Sequence, residues 1–251
     1  MYSMARKYPQ EMKKMIMDEI QRLLGPDFDV GKHFSPRYDP WDQRLCLCPD
    51  GDFFKAIQGK KASIVTDEID HFTSTGIKLK SGDTLDADII VTATGLSMQA
   101  LGGIEFHVPQ QGTHLHQSSQ LTDPFDITDR FVYKGCMISG MPNLGWWIGY
   151  TNASYTLKSD LTSYYFTRLL NYMSAHQYTA VVPTPTNPDM PQRPLLNLTS
   201  SYMQRGMQLY PKQSLKAPWA YNNNYFLDWY VLCFGAIRNK ELSFTSLTRQ
   251  D

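Results

Sequence analysis

The sequence lacks the features that mark several large classes of protein. No apolar run approaches the ~20 residues that span a bilayer, and the start of the chain has no apolar signal-peptide core. Lysine plus arginine equals aspartate plus glutamate at 24 each, so there is no electrostatic footprint for nucleic acid and no indication of membrane association. Four cysteines do not make a disulfide framework in 251 residues. We therefore expect a cytoplasmic protein whose partner is a small molecule or another protein.

A glycine-rich phosphate-binding turn is also absent. No G-x-G-x-x-G occurs anywhere in the sequence. Such a turn allows backbone N–H groups to approach a diphosphate at a helix N-terminus. Residues 135–140, GCMISG, have the glycine spacing of a phosphate loop, but no Lys-Ser or Lys-Thr follows them. The sequence thus contains no recognisable anchor for a dinucleotide diphosphate.

The hydrophobic pattern of the first hundred residues predicts an α/β chain. Residues 10–24 carry an apolar stripe at helical spacing, which stops at Gly25-Pro26. A loop over 26–50 and a short turn at DGDFFKAI precede short strands predicted at 62–66, 68–72 and 76–80. The run ADIIVTATG at 87–95 is unbroken and apolar, which is typical of a central strand buried on both faces.

The later residues predict a second set of elements. Residues 103–130 are polar and lack periodicity, so we expect a surface excursion there, and strands are predicted around 131–139. A long helix is predicted after residue 154, with one apolar side formed by Leu157, Leu161, Tyr164, Tyr165 and Leu169. The proline-rich residues 183–194 predict a connector across the surface.

Residues 38–54, YDPWDQRLCLCPDGDFF, leave three interpretations open. One is a metal site, but a single Cys-x-Cys (Cys46 and Cys48) without a second ligand pair does not supply the four ligands that zinc prefers, so no metal site is predicted. Another is a folded turn in which Arg44 pairs with Asp42 or Asp39. The third is a loop that holds Arg44 for chemistry. The other ligand-like pair, His114 and His116, is expected in a solvated loop.

Three long segments resemble flavin-dependent monooxygenases of the Baeyer–Villiger type, and among these the ethionamide-activating group. They are FSPRYDPWDQRLCLCPDGDFFKAI at 34–57, HFTSTGIKLKSGDTLDADIIVTATGL at 71–96 and KGCMISGMPNLGWWIGYTNASYTLKSDL at 134–161. The likeness covers about residues 6–102 and 131–230. The family's glycine-rich turns and its F-x-G-x-x-x-H-x-x-x-W stretch are missing, so the chain resembles the C-terminal half only.

The resemblance implies a partial flavoprotein fold with two dinucleotide-binding domains. Residues 1–90 would be the end of the NADPH-binding domain with a β-meander, 91–180 the returning part of the FAD-binding domain, and 181–251 a C-terminal extension. The implied cofactors are FAD and NADPH. The implied partners are O₂, a ketone or sulfur-containing substrate, and either a second copy of the chain or the missing N-terminal half.

The resemblance also implies roles for individual residues. Arg44 matches the family's catalytic arginine, and a fixed guanidinium in a dry site would stabilise anionic oxygen intermediates. Asp42 would orient it. Thr94 and Gly95 would pass close to FAD, although Gly95 is equally suited to a tight exit from a strand. The cofactor-binding residues expected before the long helix are Thr151, Asn152, Ala153 and Ser154, with an ordinary capped helix as the alternative.

Two functions follow from these observations. One is the C-terminal portion of a monooxygenase that inserts one oxygen atom of O₂ into ketones or oxygenates thioethers or thioamides. The other is a truncated, non-catalytic remnant, which at most associates with other chains because it lacks both cofactor turns.

Overall fold

An amphipathic helix forms where the apolar stripe of residues 10–24 predicts one. In the computed structural model, which describes residues 2–46, 48–108 and 124–246, this helix is α2 (Pro9–Leu24), and α1 (Tyr2–Lys7) precedes it. Proline at its first position and Gly25, at a φ of 89°, set its two ends. The chain divides between Leu96 and Ser97 into two compact units, which we call the N-terminal unit and the C-terminal unit.

Two further helices complete the helical part of the N-terminal unit. They are α3 (Val30–His33) and α4 (Asp52–Gln58). The prediction of a short turn at DGDFFKAI was wrong because this segment contains α4. Gly51 adopts the left-handed conformation before the helix, and Asp52 places negative charge in its first turn. The rings of Phe53 and Phe54 also contact Phe34, which fixes the helix against the preceding loop.

A three-stranded antiparallel meander follows. Its strands are β1 (Ile69–Phe72), β2 (Gly76–Leu79) and β3 (Thr84–Asp86), in the order β1-β2-β3. The strands predicted at 68–72 and 76–80 are therefore confirmed. The strand predicted at 62–66 was wrong, because the described sheet ends at β1 and gives those residues no hydrogen-bonded neighbour.

The buried central strand predicted at 87–95 was also wrong. These residues have no regular structure, and Ile89 and Val91 are 82% and 83% exposed. A central strand needs a hydrogen-bonded strand on each side and a covered surface on both faces. Within the described residues no strand pairs with this segment. Residues 87–95 therefore have the composition of a central strand, but the described residues supply no neighbouring strands to cover them.

The C-terminal unit is built around two long helices and short antiparallel pairs. Its helices are α5 (Tyr155–Ala175), α6 (Ser201–Gly206) and α7 (Tyr225–Phe234). A hairpin joins β4 (Val132–Tyr133) to β5 (Met137–Ile138), which confirms the strands expected around 131–139. The other pairs are β6 (Ala180–Pro183) with β9 (Leu242–Thr245), and β7 (Arg193–Pro194) with β8 (Lys212–Gln213).

The main core of this unit lies between the β4–β5 hairpin, α5 and α7. Trp219 is 1% exposed and meets the ring of Tyr133 edge-on at 5.4 Å. Tyr165 and Leu169 of α5 and Leu232 of α7 belong to the same cluster. Because α5 and α7 both contribute to it, the two helices share one core.

The long helix α5 confirms its prediction, but the buried face differs from the expected one. Leu157 and Tyr164 are 41% and 53% exposed, whereas Lys158 is 1% exposed. The buried stripe follows Lys158, Leu161, Thr162, Tyr165, Leu169 and Met173. The predicted buried face contained only apolar and aromatic residues. It was wrong to leave out Lys158, because this lysine has a buried partner in α7.

The observed fold is mixed helix and strand, consistent with an α/β flavoprotein fragment. All strand pairs of the described residues are antiparallel, so the two dinucleotide-binding domains remain a prediction. The functional identities of the three predicted segments also remain predictions. Within the described ranges, no helix has the length and apolar character required to cross a membrane.

Candidate functional site

The loop that carries Arg44 is a tight turn anchored to the first two helices. The Asp42 amide donates to the Asp39 carbonyl at 3.0 Å, and Trp41 between them has a φ of 72°. Arg6 of α1 contacts the Asp42 carboxylate at 2.5 Å, and Gln10 of α2 donates to the Asp39 carboxylate at 3.1 Å. Both carboxylates proposed as partners of Arg44 are therefore bound by the helices, which fixes the turn from which Arg44 extends.

Arg44 is exposed and lines a cavity of about 410 Å³ within the N-terminal unit. Apolar side chains such as Ile16, Ile20 and Leu45 form part of its wall. Lys13 and Lys32 add positive charge, and no carboxylate is among the described lining residues. A cavity with this lining favours negative charge, because cations face an apolar wall of low polarisability. The positive lining agrees with the catalytic interpretation of Arg44, but the dry site that this interpretation expects is not formed by the N-terminal unit, because Arg44 is exposed.

A second cavity lies beside the first and contains the two cysteines of the Cys-x-Cys pair. Its volume is about 1040 Å³, and Cys46 and Cys48 line it together with apolar side chains that include Phe53 and Phe54. In the described ranges, no group of three or more His, Cys, Asp or Glu side chains could hold a metal ion. The pair His114 and His116 falls outside the described residues.

Thr94 and Gly95 lie in the exposed irregular segment that ends the N-terminal unit. Gly95 has a φ of 121°, a conformation that L side chains rarely adopt. The glycine is therefore required by the backbone, although residues 87–95 form no strand for the tight exit that the alternative interpretation assumes. Its predicted role beside FAD stays a prediction.

In the C-terminal unit, the four residues predicted to bind cofactor lie directly before α5. Ser154 occupies the N-cap position, but its hydroxyl contacts the Thr156 hydroxyl at 2.7 Å and caps no backbone amide. The Ser154 side chain therefore does not offset the partial positive charge of this helix N-terminus. Ala153 is exposed at this point. The position suits a ligand atom that carries negative charge.

Residues after the long connector hold this turn in place. The Tyr221 hydroxyl donates to the Gly149 carbonyl at 2.7 Å. The Asn223 side chain accepts a hydrogen bond from the Thr151 amide at 3.0 Å and donates to the Thr151 hydroxyl at 2.7 Å. The Asn152 side chain donates to the Asn223 carbonyl at 3.1 Å. The Thr151 amide is thus satisfied within the protein, so the Asn152 and Ala153 amides are the better candidates for a ligand.

A buried ion pair lies beneath the same turn. Lys158 of α5 contacts the Asp228 carboxylate of α7 at 2.7 Å, with side-chain exposures of 1% and 8%. The Tyr150 hydroxyl donates to the same carboxylate oxygen at 2.8 Å. Burial raises the pKa of Tyr150, and the adjacent Asp228 carboxylate raises it further, so this phenol stays protonated and remains a donor. The carboxylate therefore links α5, α7 and the turn.

Sequence analysis missed Lys158, Tyr221, Asn223 and Asp228. Lys158 could have been found, because it lies in register with the apolar stripe of α5, where an unpaired lysine would be costly. The run YNNNY at 221–225 gave a weaker signal: asparagine tolerates the left-handed conformation that Asn223 adopts, at a φ of 48°. Asp228 lies in an otherwise apolar helix, which also suggested a buried partner.

Comparison with known proteins identifies relatives of this chain. FAD-containing monooxygenase EthA of Mycobacterium tuberculosis is 45% identical over 243 residues, which cover 97% of this chain and 47% of that protein. The protein of the same name from Mycolicibacterium smegmatis is 44% identical over 244 residues, with the same coverage of both chains. The "Probable FAD-binding monooxygenase AlmA" of Acinetobacter baylyi is 43% identical over 228 residues, covering 90% of this chain and 43% of that protein.

These relatives establish what the chain is similar to. It is a partial homologue of FAD-containing monooxygenases, and it spans about half the length of the curated relatives that it matches. The predicted resemblance is confirmed to this extent. No model of a known protein family matches the chain, and no solved structure matches it at a significant level.

Proposed function

We propose that this chain is the C-terminal portion of an FAD- and NADPH-dependent monooxygenase that inserts one oxygen atom of O₂ into ketones or oxygenates thioethers or thioamides. The observation that carries the proposal is the similarity to FAD-containing monooxygenases across 97% of the chain. FAD would supply the activation of O₂ and NADPH the electrons. Because the match covers 47% of that relative, activity would require the complementary half.

The residues present fit one end of FAD and not the other. The positive end of α5, which the Ser154 side chain does not cap and which Asn152 and Ala153 precede, suits the ring, because the ring becomes more negative when it is reduced. Within the N-terminal unit, the positive φ of Gly95 agrees with the close backbone approach to FAD that the resemblance implies for this residue. No G-x-G-x-x-G is present for the diphosphate. The chain would therefore contact the reactive part of the cofactor, while the complementary half would anchor its diphosphate.

Arg44 would act on the negative charge that develops on oxygen during the reaction. Its cavity has positive and apolar lining residues and no carboxylate among the described ones. Arg44 is exposed in this chain, so the complementary half would have to exclude water from the cavity before its guanidinium could stabilise an anion as a preorganised donor. Asp42, bound by Arg6, would fix the turn from which Arg44 extends. Removing one preorganised donor of this kind costs on the order of 10²–10³ in kcat.

The rival proposal is a non-catalytic remnant, and one observation favours it. Ile89 and Val91 are 82% and 83% exposed in an apolar segment, and α7 exposes Phe226 and Tyr230 at 78% and 65%. Exposed apolar surface of this kind promotes association with other chains. In the monooxygenase proposal, the complementary half would cover the same surface.

Flavin binding separates them. The purified chain is titrated with FAD in a calorimeter, alone and after co-expression with the other half of the M. tuberculosis relative. The monooxygenase proposal expects no saturable binding at micromolar FAD for the chain alone, because the diphosphate turn is missing, and a yellow 1:1 complex after co-expression. A colourless, aggregating product in both cases would support the remnant.

The role of Arg44 is tested in that co-expressed complex. Arg44→Ala is expected to abolish oxygenated product while leaving reduction of the flavin by NADPH intact, because the guanidinium acts after reduction. Arg44→Lys keeps the charge but loses the planar guanidinium, and we expect it to retain part of the activity. Normal product formation by Arg44→Ala would contradict the assigned role.

A further inference from the structure

The turn formed by residues 149–152 is hydrogen-bonded along its whole length to one distant segment of the chain. Each of its four residues exchanges at least one hydrogen bond with residues 221–228, at distances between 2.7 and 3.1 Å. Both segments lie in the C-terminal unit. Gly149 and Tyr150 are buried, so their polar groups need partners within the protein, and a single distant segment supplies such partners to the whole turn.

Asn223 is the residue best suited to hold the turn. Its φ of 48° is a conformation that asparagine adopts several-fold more readily than most side chains. Its amide group then offers one acceptor and one donor side by side, and both are used by Thr151. Glycine would fit the backbone without these bonds. Aspartate would fit the backbone and keep an acceptor for both Thr151 groups, since a threonine hydroxyl can donate.

The segment is itself anchored from below by a buried charge. Asp228, four residues after the N-cap Asn224 of α7, accepts from Tyr150 and pairs with Lys158. The Tyr221 hydroxyl reaches the Gly149 carbonyl from the other end of the segment. The turn is therefore fixed at both ends and in its middle. This limits the movement of the Asn152 amide, which lies in the turn, and of the Ala153 amide, which follows it.

We infer that residues 221–228 form a clamp that positions the 149–152 turn against the flavin ring, with Asn223 as the positioning residue. The inference rests on the proposed function, since it assigns the turn to flavin. It also gives a role to residues 221–228, which lie within the predicted C-terminal extension of residues 181–251. Its content is specific: the Asn223 side chain sets how the amides that follow Thr151 are presented.

The first experiment measures the clamp in the chain alone, by hydrogen exchange at the Thr151 amide. Asn223→Gly is expected to accelerate this exchange about tenfold or more, because it removes both side-chain bonds while keeping the backbone conformation. Asn223→Asp is expected to keep the Thr151 amide exchange as slow as in the unmodified chain, because the carboxylate still accepts from this amide. Asn222→Asp is the matched control, since Asn222 is exposed and the same charge is added one residue away. Equal exchange in all four proteins would overturn the clamp.

The second experiment asks whether the clamp acts on flavin. The same proteins, co-expressed with the complementary half and loaded with FAD, are compared by the midpoint potential of the bound flavin. Asn223→Asp is expected to lower this potential more than Asn222→Asp, because its carboxylate lies beside the turn and opposes the negative charge of the reduced ring. A change in folding stability alone would not produce that difference.

The outcomes distinguish the inference from the proposed function. If the unmodified complex binds no FAD, the proposed function fails before any variant is compared, and the flavin role of the turn fails with it. If FAD binds and the Asn223→Asp and Asn222→Asp proteins have the same potential, the inference fails while the proposed function stands. Slow exchange in Asn223→Asp together with a lowered potential supports the inference.

Discussion

The buried pair between Lys158 and Asp228 provides the sharpest test of the structure. Their charged atoms are 2.7 Å apart, and their side chains are 1% and 8% exposed. Asp228→Asn removes the negative charge but keeps an acceptor for Tyr150, so its main effect is to leave the Lys158 ammonium buried without a counter-charge. Breaking a buried pair in this way typically costs about 3–5 kcal/mol. We therefore expect the free energy of unfolding of the C-terminal unit to fall by about that amount.

A double substitution measures the interaction between the two charges apart from the other contacts of each residue. Lys158→Met combined with Asp228→Asn removes both charges, so neither is left unpaired in the interior. We expect the double variant to be more stable than the sum of the two single losses predicts, by about 2–3 kcal/mol. The measurement is urea-induced unfolding followed by fluorescence, for which Trp219, 1% exposed in the core of the same unit, is the natural reporter.

A surface pair of similar geometry is the control. Lys80 and Glu68 are 2.6 Å apart, but their side chains are 58% and 72% exposed. Glu68→Gln is expected to leave the unfolding curve unchanged within error, because solvent screens an exposed pair and already hydrates both groups. If Asp228→Asn behaved like Glu68→Gln, or if the Lys158 and Asp228 losses were simply additive, the argument from burial would be refuted.

Three further outcomes are expected. Gly149→Ala should lower the free energy of unfolding by about 1–3 kcal/mol in urea, because the added Cβ would enter the space of the Tyr155 ring; an unchanged value would show that the turn can relax. Burial raises the pKa of Glu241, but hydrogen bonds led by those from Thr186 outweigh burial, so the pKa in the folded protein is lowered. The Glu241 carboxylate therefore stabilises the fold above its unfolded-state pKa of 4.5, and this stabilisation is lost on acidification. Glu241→Gln should therefore lose less stability than the parent protein as the pH falls below that value in parallel urea titrations, and identical pH dependence would contradict this sign. Burial raises the pKa of the Cys136 thiol to about 12, so in the folded protein it should resist iodoacetamide at pH 8, while mass spectrometry detects rapid labelling of the exposed cysteines, Cys46 and Cys48.

Sequence periodicity was sufficient wherever an element depends on its own residues. The helix α2 follows from an apolar stripe that ends at Gly25, and α5 from a similar stripe over a longer span. The meander strands β1 and β2 follow from their composition and from the turns beside them. In each case the signal and the structure lie within about twenty residues of one another.

The failures concern contacts with distant parts of the chain. The buried face of α5 was misjudged because Lys158 is compatible with burial only when Asp228, 70 residues later, supplies a counter-charge. The clamp was missed for the same reason, since Asn223 meets Thr151 across 72 residues of sequence. Local patterns contain no information about such pairings, although a charged residue on an apolar stripe is a sign that one exists.

The segment 87–95 shows a different kind of failure, and it bears on function. Its composition describes a strand covered on both faces, yet Ile89 and Val91 are more than four-fifths exposed. Composition reflects the surroundings in which a sequence was selected, whereas the structure reflects the surroundings that this chain supplies. Relatives about twice as long align with nearly the whole chain, so additional polypeptide exists in this group of proteins that could form those surroundings. An apolar pattern at 87–95 combined with high exposure is therefore what a chain containing part of a flavoprotein should show. The exposed residues of this segment favour aggregation when the chain is alone, and a complementary half would cover the same residues.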